Sequence, residues 1–245
     1  MKIDILNKNV KCEYCGTEFI TEEETATDLN SEKRKNTVKI SRKRKIIIYK
    51  LVITAVMSAL AAILMLPVFE IMLPFMPPYI KFDFSDFPAL FAGITAGPLY
   101  GVAVCLIKNL IHIPLGSTGG IGEIANFVIG AVYVLTSSLI YNKIKKRKGI
   151  LIGGLCGSFA MALAAYPVNL FIVYPAYTRI YFGGSVQSVV ETYSKILPWI
   201  SNLPMALLIF NTPFNIGKGL ILTLIAVLAY SALSPLLKLV EAKFE

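Results

Sequence analysis

The stretch "IIIYKLVITAVMSALAAILML", residues 46–66, constrains the fold more than any other feature. At about 1.5 Å per residue, some twenty helical residues cross the ~30 Å hydrocarbon core of a bilayer. Inside lipid every backbone N–H and C=O must find a partner within the protein, so this segment is expected to be a helix. Further apolar runs follow, and the chain is 56% hydrophobic with only 16% charged residues. Soluble domains carry about a quarter charged residues. The reading is an all-α integral membrane protein. Residues 1–45 are polar and basic, with no apolar core ahead of a small-residue cleavage site. They read as a tail rather than a signal peptide, leaving 46–245 as the membrane domain.

Six spans are expected. The first is followed by "LPVFEIMLPFMPPYIKFDF", in which Pro67, Pro74, Pro77 and Pro78 keep interrupting any helix, so it is read as a Pro-rich external loop. "SDFPALFAGITAG" and "LYGVAVCLIKNLIHI" form a hairpin turning at Gly97-Pro98. Its arms are short for a full crossing and are expected to tilt or to pack inside protein. The fourth span starts near Ile121, and the fifth, rich in small residues, runs from about 150 to 177. One or two short helices on a surface loop are expected next. The sixth span is placed from Thr212, a cap before the first-turn Pro213, to about Leu237.

The net charge of +9 is concentrated in "SEKRKNTVKISRKRKIIIYK" and "NKIKKRKG". Blocks flanking apolar runs set topology by the positive-inside rule and suit anionic membrane lipid, so this charge argues for lipid and against nucleic acid. Both blocks on the cytoplasmic side put both termini there, in a multi-pass protein of the cell membrane. Polar residues then gather in the outer leaflet: Asp83 and Asp86, Lys108 and His112, Glu123 and Asn126, Asn169, and the stripe Asn211, Asn215, Lys218 at helical spacing. Intramembrane charge is costly and usually has a partner or a task. For Asp86, Lys108, Glu123 and Asn126 two readings stay open, interhelical hydrogen bonding or pocket lining. His112 is expected at the solvated interface. Asn169, Asn215 and Lys218 read as walls of an outward-facing pocket, Lys218 having no carboxylate near it in sequence.

Catalysis finds no support. "NIGKGL" is no Walker A motif, because Thr212 stands where its first glycine belongs and Gly219 where it needs Ser or Thr. A single histidine rules out a His-based metal site, and no Ser or Cys has an evident base. Cys12 and Cys15 of "CEYC" make only half of a tetrahedral zinc site. A membrane-anchored metal or redox sensor built on that pair is the alternative class.

"YIKFDFSDFPALFAGITAGPLYGVAVCLIKNLIH", "GEIANFVIGA", "NLFIVYPAY" and "PFNIGKGL", in this order, resemble the substrate-binding S components of energy-coupling factor (ECF) transporters, the riboflavin-specific members most. The resemblance covers about residues 46–240. It implies six membrane helices and an external pocket for riboflavin or a close flavin, bound as transported ligand rather than cofactor. It assigns Asn169, Asn215 and Lys218 to that pocket and the Pro-rich loop to its lid. It implies an Ala-x-x-x-Ala docking face, here Ala55 and Ala59, for a shared T component. That pair also suits ordinary small-residue packing. Energy would come from two cytoplasmic ABC-type ATPases. Another vitamin is the alternative within this class.

Overall fold

The computed structural model describes residues 9–11, 18–20, 22–77, 80–116, 119–181 and 183–244. Cys12 and Cys15 lie outside them. Two compact units divide near Ile48. In the first, β1 (Asn9–Lys11) pairs antiparallel with β2 (Glu18–Ile20), Val10 opposite Phe19.

Helix α1 runs Glu22–Leu64, so it begins well ahead of the apolar stretch. Within the second unit, Thr54, Ser58 and Ala61 are its buried residues, and buried Met65 follows directly after its end. The spacing of four and three keeps the helical three on one face. Leu51, Val52, Ala55, Val56, Ala59 and Leu60 stay exposed on the other. The Pro-rich stretch contains a 3₁₀ turn, Pro67–Phe69, and a small ribbon of β3 (Ile71–Met72) and β4 (Lys81–Phe82). A 2.5 Å Lys81–Glu70 ion pair clasps the ribbon.

Helices α2 (Asp86–Thr95) and α3 (Pro98–His112) form the hairpin. Gly97 turns it at φ 119°, a backbone region closed to most side chains. Ten and fifteen residues make arms of about 15 and 22 Å, shorter than the ~30 Å core. They are packed in protein: Ala89, Leu90, Ala92, Val104 and Cys105 are buried. Helices α4 (Ile121–Ile144) and α5 (Arg147–Val168) pack along each other with backbones close together. A Cβ on Gly153 or Gly157 would run into Ser137.

Two proline positions shape the rest. Pro175 and Pro213 lack an N–H, and each ring would collide with the carbonyl four residues earlier, at Phe171 and Ile209. Both carbonyls lie in wide π-helical turns, Asn169–Val173 and Leu207–Asn211. Helix thus continues through both sites, from α5 into α6 (Tyr174–Tyr181), and from α8 (Leu203–Ala206) into α9 (Thr212–Phe244). The expected start of the last span at Thr212 is therefore corrected. That helix begins at Leu203, where the Asn202 side chain accepts the Met205 N–H at 2.9 Å. Between these runs lies α7 (Val186–Ser194), capped by Ser185.

Among the described residues, four helices are long and apolar enough to cross a membrane: Arg42–Leu64, Ile121–Ile144, Arg147–Tyr181 and Leu203–Tyr230. The shorter α3 is also apolar.

Candidate functional site

One end of the bundle holds four buried charges in mutual contact. Asp83, just ahead of α2, accepts the Ser85 N–H at 2.9 Å and the Ser85 hydroxyl on its Oδ1. Lys108 on α3 donates to Ser85 Oγ and, at 2.6 Å, to Asp86 Oδ1. Lys218 on α9 donates to Asp83 Oδ2 at 2.8 Å and lies 2.9 Å from Asp86 Oδ2. Two ammoniums face two carboxylates, so the cluster carries no net charge. Balance of this kind is what lets ions persist away from water. Gly130 of α4 makes room for it, because a Cβ there would strike Asp86 Oδ1.

A cavity of about 140 Å³ opens beside the cluster. Its polar wall is Asp86, Asn126, Asn169, Asn211, Asn215 and Lys218. Met161, Val173, Tyr174, Tyr177 and Phe214 supply the opposite character, and Ile80 and Lys81 reach it from the loop ahead of α2. Both wide turns deliver an asparagine here, Asn169 at the start of one and Asn211 at the end of the other. Such turns are frequent at functional sites because they re-aim side chains within an otherwise regular helix. A larger apolar cavity of about 650 Å³ adjoins it, lined by Leu73, Phe75, Met76, Phe82, Phe84 and Phe210, and sharing Phe214 and Lys218.

The donor count decides what the polar wall can hold. An ammonium has three N–H groups, and the carboxylates engage at most two from Lys218, leaving one for the cavity. Asp86 Oδ2 is buried and receives no aligned hydrogen bond. Lys218 thus stands as the donor in the wall, with Asp86 Oδ2 as its counter-ion 2.9 Å away. Asn215 spends one N–H on the Asn211 carbonyl at 2.7 Å and keeps the rest of its amide. The arrangement suits a planar molecule with an amide- or imide-like edge on an apolar body.

The family model for the substrate-specific component of ECF transporters matches residues 49–230. This chain belongs to that family. It is 33% identical to the riboflavin transporter FmnP of Bacillus subtilis (strain 168) over 189 residues, 76% of this chain and 92% of FmnP. It is 31% identical to the riboflavin transporter RibU of Staphylococcus aureus (strain TCH60), over 77% of this chain and 92% of RibU. A solved S component of a bacterial ECF transporter superimposes with a TM-score of 0.60 at 29% identity, covering 78% of this chain and 98% of the other. The family is one of transporter components, which accords with apolar helices crossing a membrane several times.

In this S component Asn169, Asn215 and Lys218 all reach one cavity, joined by Asp86 and Asn126. Lys108 does not line it and pairs with Asp86 instead. Glu123 also turns away, holding His112 Nδ1 at 3.0 Å. That pair corrects the expectation of a solvated His112, which is only 5% exposed. Asn126 is 3.4 Å from the Asn109 amide. Lys218 has no carboxylate near it in sequence, and its partners Asp83 and Asp86 reach it from 135 and 132 positions away in the chain. Asp83 as a partner, and Tyr174, Tyr177, Phe214 and Met161 as walls, escaped the sequence reading. The two aromatics of "YPAY" flanking Pro175 were the available signal.

Proposed function

We propose that this chain is the membrane subunit that captures riboflavin or a close flavin from outside the cell. It passes the ligand inward in company with a T component and two cytoplasmic ATPases. Six crossings are counted when the hairpin arms α2 and α3 join the four long helices. Both termini then face the cytoplasm, and the basic turn 143–148 between α4 and α5 lies on that side, as the positive-inside rule requires.

The observation that carries the reading is the polar wall of the cavity. A flavin presents C=O, N–H and C=O in turn along its pyrimidine edge. The spare Lys218 N–H serves one carbonyl, and the Asn169 and Asn215 amides, each both donor and acceptor, serve the imide N–H and the second carbonyl. The apolar rings then lie against Tyr174, Tyr177 and Phe214. Ligand pockets generally run to about 300–1,000 Å³, so a 140 Å³ cavity must widen or join the 650 Å³ apolar cavity with which it shares Phe214 and Lys218. The side formed by Ile80 and Lys81 is where it can widen, because that stretch is tied by a two-residue ribbon and one ion pair rather than built into a long helix. The Pro-rich loop thus acts as the lid.

Delivery needs docking. Ala55 and Ala59 lie on the exposed face of α1, four apart, where small residues let another helix approach closely. The names of the relatives favour riboflavin over other vitamins. Purifying the protein from flavin-producing cells tests the reading: a flavin absorption spectrum that travels with the folded protein is expected. A colourless protein that takes up no added riboflavin would overturn it.

A further inference from the structure

Tyr193 sits on α7, outside the four long spans, and does not line the cavity, yet it touches the wall from behind. It is completely buried. Its hydroxyl donates to Asn211 Oδ1 at 3.0 Å and pairs with the Tyr174 hydroxyl. The Asn211 amide nitrogen closes the circuit by donating to Tyr174 at 3.3 Å. Three groups thus form a ring in which each donates once and accepts once. With the proton of Tyr193 given to Asn211, that of Tyr174 goes to Tyr193. If the amide is turned over, the ring runs in the opposite sense with the same result. Either way both phenol protons are consumed inside the ring. What remains for the cavity is the second N–H of Asn211.

We propose that Tyr193 is a positioning residue for the ligand, locking Tyr174 and Asn211 so that this wall offers one amide N–H and no phenol proton. The assignment rests on the flavin-binding reading above. A closed ring of hydrogen bonds stiffens its members, because each bond polarises the next. The ring spans three elements, α6, α7 and the wide turn ahead of α9, and so ties a segment outside the long spans to ligand recognition. Tilted rings pack around it, Tyr193 lying 5.2 Å from Phe210 and 6.4 Å from Tyr174 between centroids. Removal of the hydroxyl alone leaves that packing in place. Tyr174 can then turn its proton into the cavity, and Asn211 can rotate.

Tyr193→Phe, Asn211→Ala and the double variant, purified in detergent, separate positioning from mere support. Riboflavin affinity is read from quenching of flavin fluorescence, and folding from a thermal melt. Tyr193→Phe should melt within a few degrees of the parent and bind riboflavin roughly three- to tenfold more weakly, the worth of about one hydrogen bond. Tyr193→Phe should cost less affinity in the Asn211→Ala background than in the parent, because part of its effect runs through that amide and only the Tyr174 bond remains to be lost. An unchanged affinity in Tyr193→Phe would overturn the proposal. So would the same loss in both backgrounds, or a loss that only follows the unfolded fraction. A parent that fails to bind riboflavin removes the functional reading and this inference together, and is seen before any variant is made.

Discussion

Helices α4, α5 and α9 pass through two regions built from the same kinds of residue and put to different use. In the seam, glycines bring backbones together: Gly154 leaves room for Thr223, and Gly219 for Ser158. Ser158 and Thr223 bond within their own helices, to the Gly154 and Gly219 carbonyls at 2.7 Å each, while the Tyr133 hydroxyl of α4 crosses to Thr223 at 3.0 Å. The helices are regular. At the cavity end two wide turns interrupt them, asparagines replace glycines, and amide N–H groups remain unspent. In the seam most polar groups are bonded, the Ser137 hydroxyl being without a partner among the described residues, whereas amides left half-satisfied around a void await a ligand. That contrast predicts which substitutions affect folding and which affect binding.

The largest effect is expected at Lys218, which belongs to both categories. Lys218→Met leaves Asp83 and Asp86 with only Lys108 between them, an uncompensated buried charge that costs about 3–5 kcal/mol. Thermal stability should fall sharply and riboflavin affinity with it. A variant as stable as the parent would show that the ion pairs do not form. Gly157→Val comes next. A side chain there meets Ser137 and the Tyr133 carbonyl, so about 1–3 kcal/mol of stability should be lost to overpacking. The fraction that folds should bind riboflavin as the parent does, and weakened binding in that fraction would erase the distinction between the regions.

The sequence carried the asparagines and Lys218 plainly, because helical spacing on a greasy segment leaves few explanations other than a shared polar face. It could not carry Asp83 as their partner. Lys218 meets it 135 residues away, and only the return of α9 against the start of α2 brings them together. The start of the last span is hidden from the sequence for a related reason. Thr212-Pro213 looks like a helix beginning, and nothing in local pattern announces a wide turn that carries helix past a proline. His112 beside a loop looked wet, and the fold buries it against Glu123.

Smaller effects sharpen the comparison further. Asn215→Ala removes an amide from the cavity wall and one bond to the Asn211 carbonyl. Affinity should fall roughly three- to tenfold, at about 1 kcal/mol for the lost hydrogen bond, with a near-parental melt. A lowered melting temperature with intact affinity would place Asn215 among the packing residues. Ala59→Trp touches neither region, since Ala59 lies on the exposed face of α1. Its stability and riboflavin binding in detergent should match the parent, while uptake by cells should be lost through failed docking. Normal uptake would remove Ala59 from the docking face.

The account turns on Lys218 holding the cluster and donating to the ligand at once. Lys218→Met combined with Asp83→Asn tests this directly. The pair of changes deletes one positive and one negative charge, leaving Lys108 and Asp86 balanced and the Ser85 N–H still able to bond to residue 83. Thermal stability should recover most of what Lys218→Met alone loses. Riboflavin affinity, measured on the same sample, should stay about ten- to a hundredfold below the parent, the worth of a hydrogen bond from a charged donor. A double variant that regains both stability and parental affinity would contradict the account, leaving Lys218 as a counter-ion with no part in holding the flavin.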